Sequence, residues 1–210
     1  MKKKDILIIV DYQKDFVDGA LGFDKATTLD DGIADLAKQY IEAENGIVIC
    51  TYDTHFDHYL ETQEGSKLPV PHCIRGSEGW KLYGKTGAYI YNLFEGLRPL
   101  DDGMMGDCVI ETDTSEALGV TDKLYLVEKP AFPSLTLGNF LRSLDKQSGI
   151  RKITFVALVT NMCVISNAVV AKAACPEAEI VIKKDLVASF DEDLHAKTLE
   201  VAAAMQMTIE

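Results

Sequence analysis

Five short runs of mostly β-branched residues, each breaking off near a polar side chain, constrain this chain more than anything else in it. They are Ile6–Val10, Ile47–Thr51, Leu124–Val127, Ile153–Leu158 and the shorter Ile180–Ile182. Runs that stay apolar without alternating suit strands covered on both faces, which is the situation of a parallel sheet. Between them, Ile33–Glu44 carries Ile33, Leu36, Ala37, Tyr40 and Ile41 at helical spacing, and Leu137–Gln147, Val164–Ala174 and Leu194–Met205 read likewise. Asp191 stands where the last of these helices needs an N-cap. Strands alternating with helices imply right-handed βαβ units and an α/β fold built on a doubly wound parallel sheet. The 210 residues suit one domain over the whole chain. One stretch breaks the alternation, a long insertion from about 53 to 106 that is rich in Gly, Pro, His and Tyr. An ordered insertion of that length usually serves function.

Charge removes several classes of partner. The net charge of −12 would repel a nucleic-acid backbone, and the only basic cluster, Lys2-Lys3-Lys4, reads as a solvated lead-in to the first strand. Asp5 and Asp11 bracket too few apolar residues for a signal peptide or a membrane span. Five cysteines without a C-x-x-C pair point to a reducing compartment, so a cytoplasmic location is expected. Cys50, Cys73, Cys108 and Cys175 carry no pattern and read as small apolar side chains.

Ligands of an open parallel sheet bind beyond the carboxyl ends of the strands, so the residues that follow each apolar run are the candidates for chemistry. Asp11 follows the first run, Asp53 and His55 the second, Lys129 the third, and Thr160, Asn161 and Cys163 the fourth. Cys163 falls near the start of a helix, where free backbone amides and the helix dipole favour a thiolate and could receive an oxyanion. Asp11 could take the thiol proton while Lys129 holds the carboxylate, a pairing that a buried lysine requires. Asp53-x-His55 places two donors on one side of an extended segment, and His72 supplies a third. Such a set suits zinc, manganese or iron(II) and leaves positions open for water or substrate. His58 competes with His55 for the second place, and His195 reads as a packed or surface histidine.

These residues occur in a recognisable order: Asp11-Tyr12-Gln13-Lys14-Asp15-Phe16, Asp53-Thr54-His55, Pro71-His72-Cys73, Lys129-Pro130-Ala131-Phe132 and Val159-Thr160-Asn161-Met162-Cys163-Val164. The chain resembles the isochorismatase-like cysteine hydrolases, and within them the nicotinamidase-related branch, from about Ile6 to the last helix. The resemblance implies a three-layer α/β/α sandwich, Rossmann-like, around a central and mainly parallel sheet. It implies Cys163 as nucleophile toward an amide carbonyl, Asp11 as general base and Lys129 as third member of the triad. It also implies a cis peptide at Leu158–Val159, with the backbone amides of Val159 and Cys163 as oxyanion hole. Asp53, His55 and His72 become ligands of a divalent metal, zinc before manganese or iron, a set that isochorismatases generally lack. Glu64 or its neighbour Gly65 falls where some nicotinamidases add a carboxylate.

The expected substrate is therefore a small amide, nicotinamide or a relative of it, cleaved to the acid and ammonia. Family members are often dimers or tetramers, which makes self-association a further expectation. Phe16 matches a pocket aromatic of the family, but Lys67-Leu68-Pro69-Val70-Pro71 stands where a second aromatic is usual. Trp80, Tyr83 or Phe132 could replace it. Asn161 stands where aspartate is frequent and Ala157 where glycine is. The rival readings are another hydrolase of the same superfamily, acting on an N-carbamoyl, ureido or isochorismate-type substrate, and a non-catalytic ligand-binding module.

Overall fold

A computed structural model describes residues 2–95, 118–119 and 122–210. The described elements run β1 (Lys4–Val10), α1 (Lys14–Val17), α2 (Asp24–Thr27), α3 (Asp30–Glu42), β2 (Gly46–Asp53) and α4 (Gly84–Glu95). Then come β3 (Leu118–Gly119), β4 (Leu124–Lys129), α5 (Leu135–Ser148), β5 (Ile150–Leu158), α6 (Ile165–Ala174), β6 (Glu179–Ala188), α7 (Glu192–Ala204) and β7 (Thr208–Ile209). One sheet takes them in the order β3-β4-β2-β1-β5-β6-β7. Every pairing is parallel except the short β3 against β4. The chain thus has the α/β fold on a mainly parallel sheet that the apolar runs imply, in accord with the resemblance.

Side chains of β1 alternate between two cores, as a strand covered on both faces requires. Leu7 and Ile9 join Ile33 and Ala37 of α3 and Ile90 of α4 on one face. Ile6, Ile8 and Val10 join Leu137 and Leu141 of α5, Ala168 and Ala171 of α6 and Ala202 of α7 on the other. All five apolar residues of β1 are fully buried. At roughly 1.5–3 kcal/mol for each large aliphatic side chain, this strand alone contributes a sizeable part of the drive to fold.

Capping fixes where several helices begin and end. Ser134 accepts from the Leu137 amide at the start of α5, and Gly149 closes that helix at φ 71°, a left-handed value that suits glycine. Asp191 accepts from the Leu194 amide at the head of α7, as its position in sequence foretells. The head of α4 is capped from a distance: the Asp30 carboxylate accepts from the Lys85 amide at 2.7 Å and the Thr86 amide at 3.0 Å. Gly84 permits that approach, because a Cβ there would sit 2.2 Å from the Asp30 Oδ2.

The strands run longer than their apolar cores. β6 extends to Ala188 although Lys183, Lys184 and Asp185 interrupt its hydrophobicity, because the backbone resumes pairing with β5 after a register shift between Phe155 and Ala157. Helices α1 and α2, and the two-residue strands β3 and β7, are too short to leave a period in the sequence. The described part of the insertion, through Glu95, holds one 3₁₀ turn (Tyr59–Glu61) and helix α4. Its remainder to 106, and Cys108, lie outside the described residues. No described helix is long and apolar enough to cross a membrane.

One buried carboxyl gives this fold a measurable pH signature. Burial pushes Glu128, on β4, up to about 7, against the opposing pull of Arg75, whose Nε stands 3.6 Å away. Its contribution to stability is therefore whole below the ordinary value of 4.5 and is lost as pH rises through about 7. Glu128→Gln should flatten the fall in melting temperature across that window, as thermal melts at a series of pH values would register. An unchanged slope would exclude Glu128 as its source.

Candidate active site

Four neighbouring strands each deliver one group to the same edge of the sheet. Lys129 ends β4 and pairs in register with Asp53, which ends β2. Asp11 follows β1, and Cys163 lies in the turn after β5. All four are at most 4% exposed. The Lys129 ammonium stands 2.7 Å from Asp11 Oδ2 and 3.1 Å from Asp53 Oδ1. It donates to the Ala131 carbonyl at 3.1 Å and to Cys163 Sγ at 3.5 Å. Thr51 Oγ1 donates to the other Asp11 oxygen at 2.7 Å and accepts from the Asp11 amide at 3.2 Å.

Burial and charge pull against each other here. Burial alone would lower the Lys129 ammonium, but the Asp11 and Asp53 carboxylates outweigh it and hold it well above its ordinary value. Burial pushes the Asp11 carboxyl up, with Asp53 adding to the rise while Lys129 and Thr51 oppose it. Asp53 goes the other way: Lys129, His55 and His72 overcome its burial and hold it well below the carboxylate range. Burial also raises the Cys163 thiol, more than the Lys129 charge can offset, and a hydrogen bond to Asp11 favours the protonated form. Burial thus opposes the pull toward a thiolate that the helix start supplies, and the Asp11 carboxyl stands beside the thiol.

The backbone around Cys163 differs in detail from a simple helix start. Residues Thr160–Val164 form a π turn that leads into α6 at Ile165. The peptide bond Leu158–Val159 is cis, as the resemblance implies. Asp11 and Ala157, at the ends of β1 and β5, hold φ of 48° and 82°, values that strain any residue with a Cβ. Such strain gathers at functional sites, at a cost of about 1–3 kcal/mol each. Thr160 Oγ1 meets His195 Nδ1 at 3.0 Å, so that histidine braces the turn rather than merely packing.

A second group of donors shares Asp53. Its Oδ2 lies 3.1 Å from His55 Nε2 and 3.3 Å from His72 Nε2, and Glu64 Oε1 lies 3.6 Å from His55 Nε2. One donor atom from each of Asp53, His55, Glu64 and His72 falls within 4.8 Å of the others. His72 Nδ1 meets the Val70 carbonyl at 2.8 Å, which assigns the proton to Nδ1 and leaves the Nε2 lone pair facing the group. His72 Nε2 and Glu64 Oε1 are buried with no hydrogen-bond partner. Orphaned acceptors converging on one point fit a divalent cation. Glu64 rather than Gly65 completes the set, since glycine offers no side-chain donor and Gly65 packs on the Tyr59 carbonyl. His58 is exposed, stacked on Phe56, and takes no part.

A cavity of about 280 Å³ opens over Cys163. Phe16 and Phe132 line it as the sequence suggests, together with His72, Val159 and Cys163. Trp80 does not. Its indole Nε1 donates to Thr54 Oγ1 at 2.8 Å and its ring packs on Tyr52, so it braces the segment behind Asp53 from within the core. Tyr83 packs edge-on against Tyr12 and is likewise no part of the wall. The outer walls are instead Leu21, Leu68, Met162 and Phe190, three of them on loops without periodic signal and Met162 in the π turn.

Sequence reasoning also passed over Asn167, an unremarked amide on the apolar helix α6. Fully buried, it accepts from the Ser134 amide at 2.9 Å and donates to the carbonyls of Phe132 and Cys163, each at 2.8 Å. One side chain thereby ties the loop that follows Lys129 to the turn that carries Cys163. A buried polar residue in an otherwise small, apolar helical run was the available signal.

No protein-family model matches the chain. An uncharacterized isochorismatase family protein PncA of Bacillus subtilis (strain 168) is 28% identical over 199 residues, 93% of this chain and 92% of its own. Among solved structures, the nicotinamidase PncA of Bacillus subtilis superposes with a TM-score of 0.73 at 25% identity, over 98% of both chains. A pyrazinamidase/nicotinamidase of Streptococcus mutans gives 0.75 at 21% identity, over 99% of this chain and 100% of that one. The pyrazinamidase of Pyrococcus horikoshii, solved in complex with zinc, gives 0.70 at 17% identity, over 99% and 98%. In fold and in sequence the chain is thus similar to isochorismatase-like proteins, and nicotinamidases recur among the solved structures that it resembles.

The Asn167 tether is open to direct test. Asn167→Ala should lower the free energy of unfolding by about 2–4 kcal/mol, because it orphans the Ser134 amide and the Phe132 carbonyl and takes from the Cys163 carbonyl one of its two side-chain donors. Asn167→Asp keeps the acceptor for Ser134 but sets a buried carboxylate oxygen against the carbonyls of Phe132 and Cys163, and should lose at least as much. Urea titration of both variants measures it, and a loss below about 1 kcal/mol for alanine would mean that the tether does not hold these loops.

Proposed function

We propose that the chain is a cysteine amidohydrolase that cleaves the C–N bond of a small carboxamide, nicotinamide or a related amide, releasing the acid and ammonia. The observation that carries this reading is the buried contact of Lys129 with Asp11, Asp53 and the sulfur of Cys163, a residue that lines the cavity. In this reading Asp11 accepts the thiol proton as Cys163 Sγ bonds to the amide carbon, and the C=O π pair moves onto oxygen. The amides of Val159 and Cys163 receive that oxyanion. The C–N bond then breaks with its electron pair on nitrogen, which takes the proton from Asp11 and leaves as ammonia. Water attacks the resulting thioester and gives a proton to Asp11. The C–S bond breaks, sulfur recovers the proton, and the acid departs. Lys129 keeps its charge throughout, holding Asp11 in place and offsetting the negative charge that collects around it.

Asp53, His55, Glu64 and His72 would hold a divalent ion, zinc in this reading, with manganese or iron(II) suited to the same donors. Such an ion supplies a Lewis-acidic point that can fix one donor atom of a bound substrate. The free thiols of Cys50, Cys73, Cys163 and Cys175 accord with a reducing compartment, which in this reading is the cytoplasm.

Cys163→Ala should lower ammonia release from a cleaved amide by about a thousandfold or more, with melting temperature and metal content kept. Hydrolysis that survives this change would overturn the nucleophile assignment. His72→Ala should instead empty the metal site, which elemental analysis of the purified protein reads directly. Unchanged metal content in that variant would remove His72 from the ligand set.

A further inference from the structure

The lining of the cavity over Cys163 is graded by burial. Among its most enclosed residues are Cys163, His72 and Val159, all at most 5% exposed. Most of the remaining wall is carbon: Phe16 is buried, while Leu21, Leu68, Phe132 and Met162 are half-buried. Phe190, also in the wall, is 60% exposed and leans edge-on against Phe23. Among the described residues, no Lys, Arg, Asp, Glu, Asn or Gln side chain lines the cavity.

Two consequences follow from that gradient. A substrate with a charged or strongly polar group at the far end from its amide would leave water there without finding a partner. A single ring bearing one carboxamide leaves much of the 280 Å³ bare, along with the exposed face of Phe190. An apolar group long enough to reach Phe190 would cover it, and each methylene so buried is worth about three- to fourfold in binding.

Resting on the amidohydrolase reading above, we propose that the preferred substrate is a neutral carboxamide whose apolar group extends beyond one ring, from the Cys163 end of the cavity to Phe190. Phe16, Leu68, Phe132 and Met162 grip that group. Specificity against carboxylate-bearing amides comes from the absence of a cationic side chain on the described walls.

The test is a panel assay of ammonia release by the metal-loaded, full-length enzyme. The panel holds nicotinamide, benzamide, 4-phenylbutyramide, biphenyl-3-carboxamide and the charged succinamate. The proposal expects at least one of the two extended amides to exceed benzamide in kcat/KM by about tenfold or more, and succinamate to fall at least about a hundredfold below it. Leu68→Trp, which fills the middle of the cavity, should shift the ratio of extended to single-ring amide back toward one. Cleavage of nicotinamide and benzamide with no gain for either extended amide would overturn this inference and leave the amidohydrolase reading intact, and so would succinamate turned over as fast as benzamide. A ratio unmoved by Leu68→Trp would also overturn it. Ammonia from none of these amides would instead overturn the reading on which the inference rests.

Discussion

The ammonium of Lys129, shut away from water between two carboxylates, is the interaction around which the rest of this site is arranged. A buried charge without partners would cost several kcal/mol, so the fold must supply counter-charges at fixed places. It does so by setting β4, β2 and β1 side by side, so that Lys129, Asp53 and Asp11 emerge from adjacent strand ends. The register of β2 on β4 is therefore not free. A slip of one residue would turn Lys129 to the opposite face and bring its neighbour Glu128 round in its place. That would set three carboxylates together with no cation among them.

The polar machinery around this ammonium is braced from outside the strands. Thr51 holds one oxygen of Asp11 while Lys129 holds the other, and Asn167 links the loop after Lys129 to the turn of Cys163. Gln13 accepts from the Asp53 amide at 2.7 Å and donates to the Asp53 and Trp80 carbonyls, both at 2.9 Å. Trp80 in turn donates to Thr54. The left-handed backbone at Asp11 and Ala157 persists because this network over-determines it.

Much of this was legible in the chain before any coordinates, and the reason is physical. A strand buried on both faces must be apolar almost throughout, so β1, β2 and β5 announce themselves, and the polar residue that ends each one stands out. Asp11 and Asp53 could be read on that ground, and Lys129 from the end of the shorter run on β4. His55 and His72 could be read as donors because their spacing from Asp53 is local or nearly so. What escaped was whatever depends on the path of irregular chain. Leu21, Leu68 and Phe190 reach the cavity from loops, where no period says which way a side chain points. Trp80, an aromatic near enough in sequence to stand in for the missing pocket ring, is core, since a large ring with one donor is as useful behind a site as in it. The choice between Glu64 and Gly65 turned on loop geometry that residue counting cannot supply. The upward push of burial on the Cys163 thiol likewise depends on how deeply its turn is enclosed, which the sequence does not display.

Asp53 presents its two oxygens to different neighbours: Oδ1 to the Lys129 ammonium and Oδ2 to the imidazoles of His55 and His72. The two halves of the site are thus joined through a single carboxylate and have no other side chain in common. An engineer wishing to strip the candidate metal donors while sparing Cys163, or to graft that cysteine onto another sheet, would have three residues free to change. Asp53 is not among them, and any scaffold that borrowed one half of the site would have to carry the other's anchor with it.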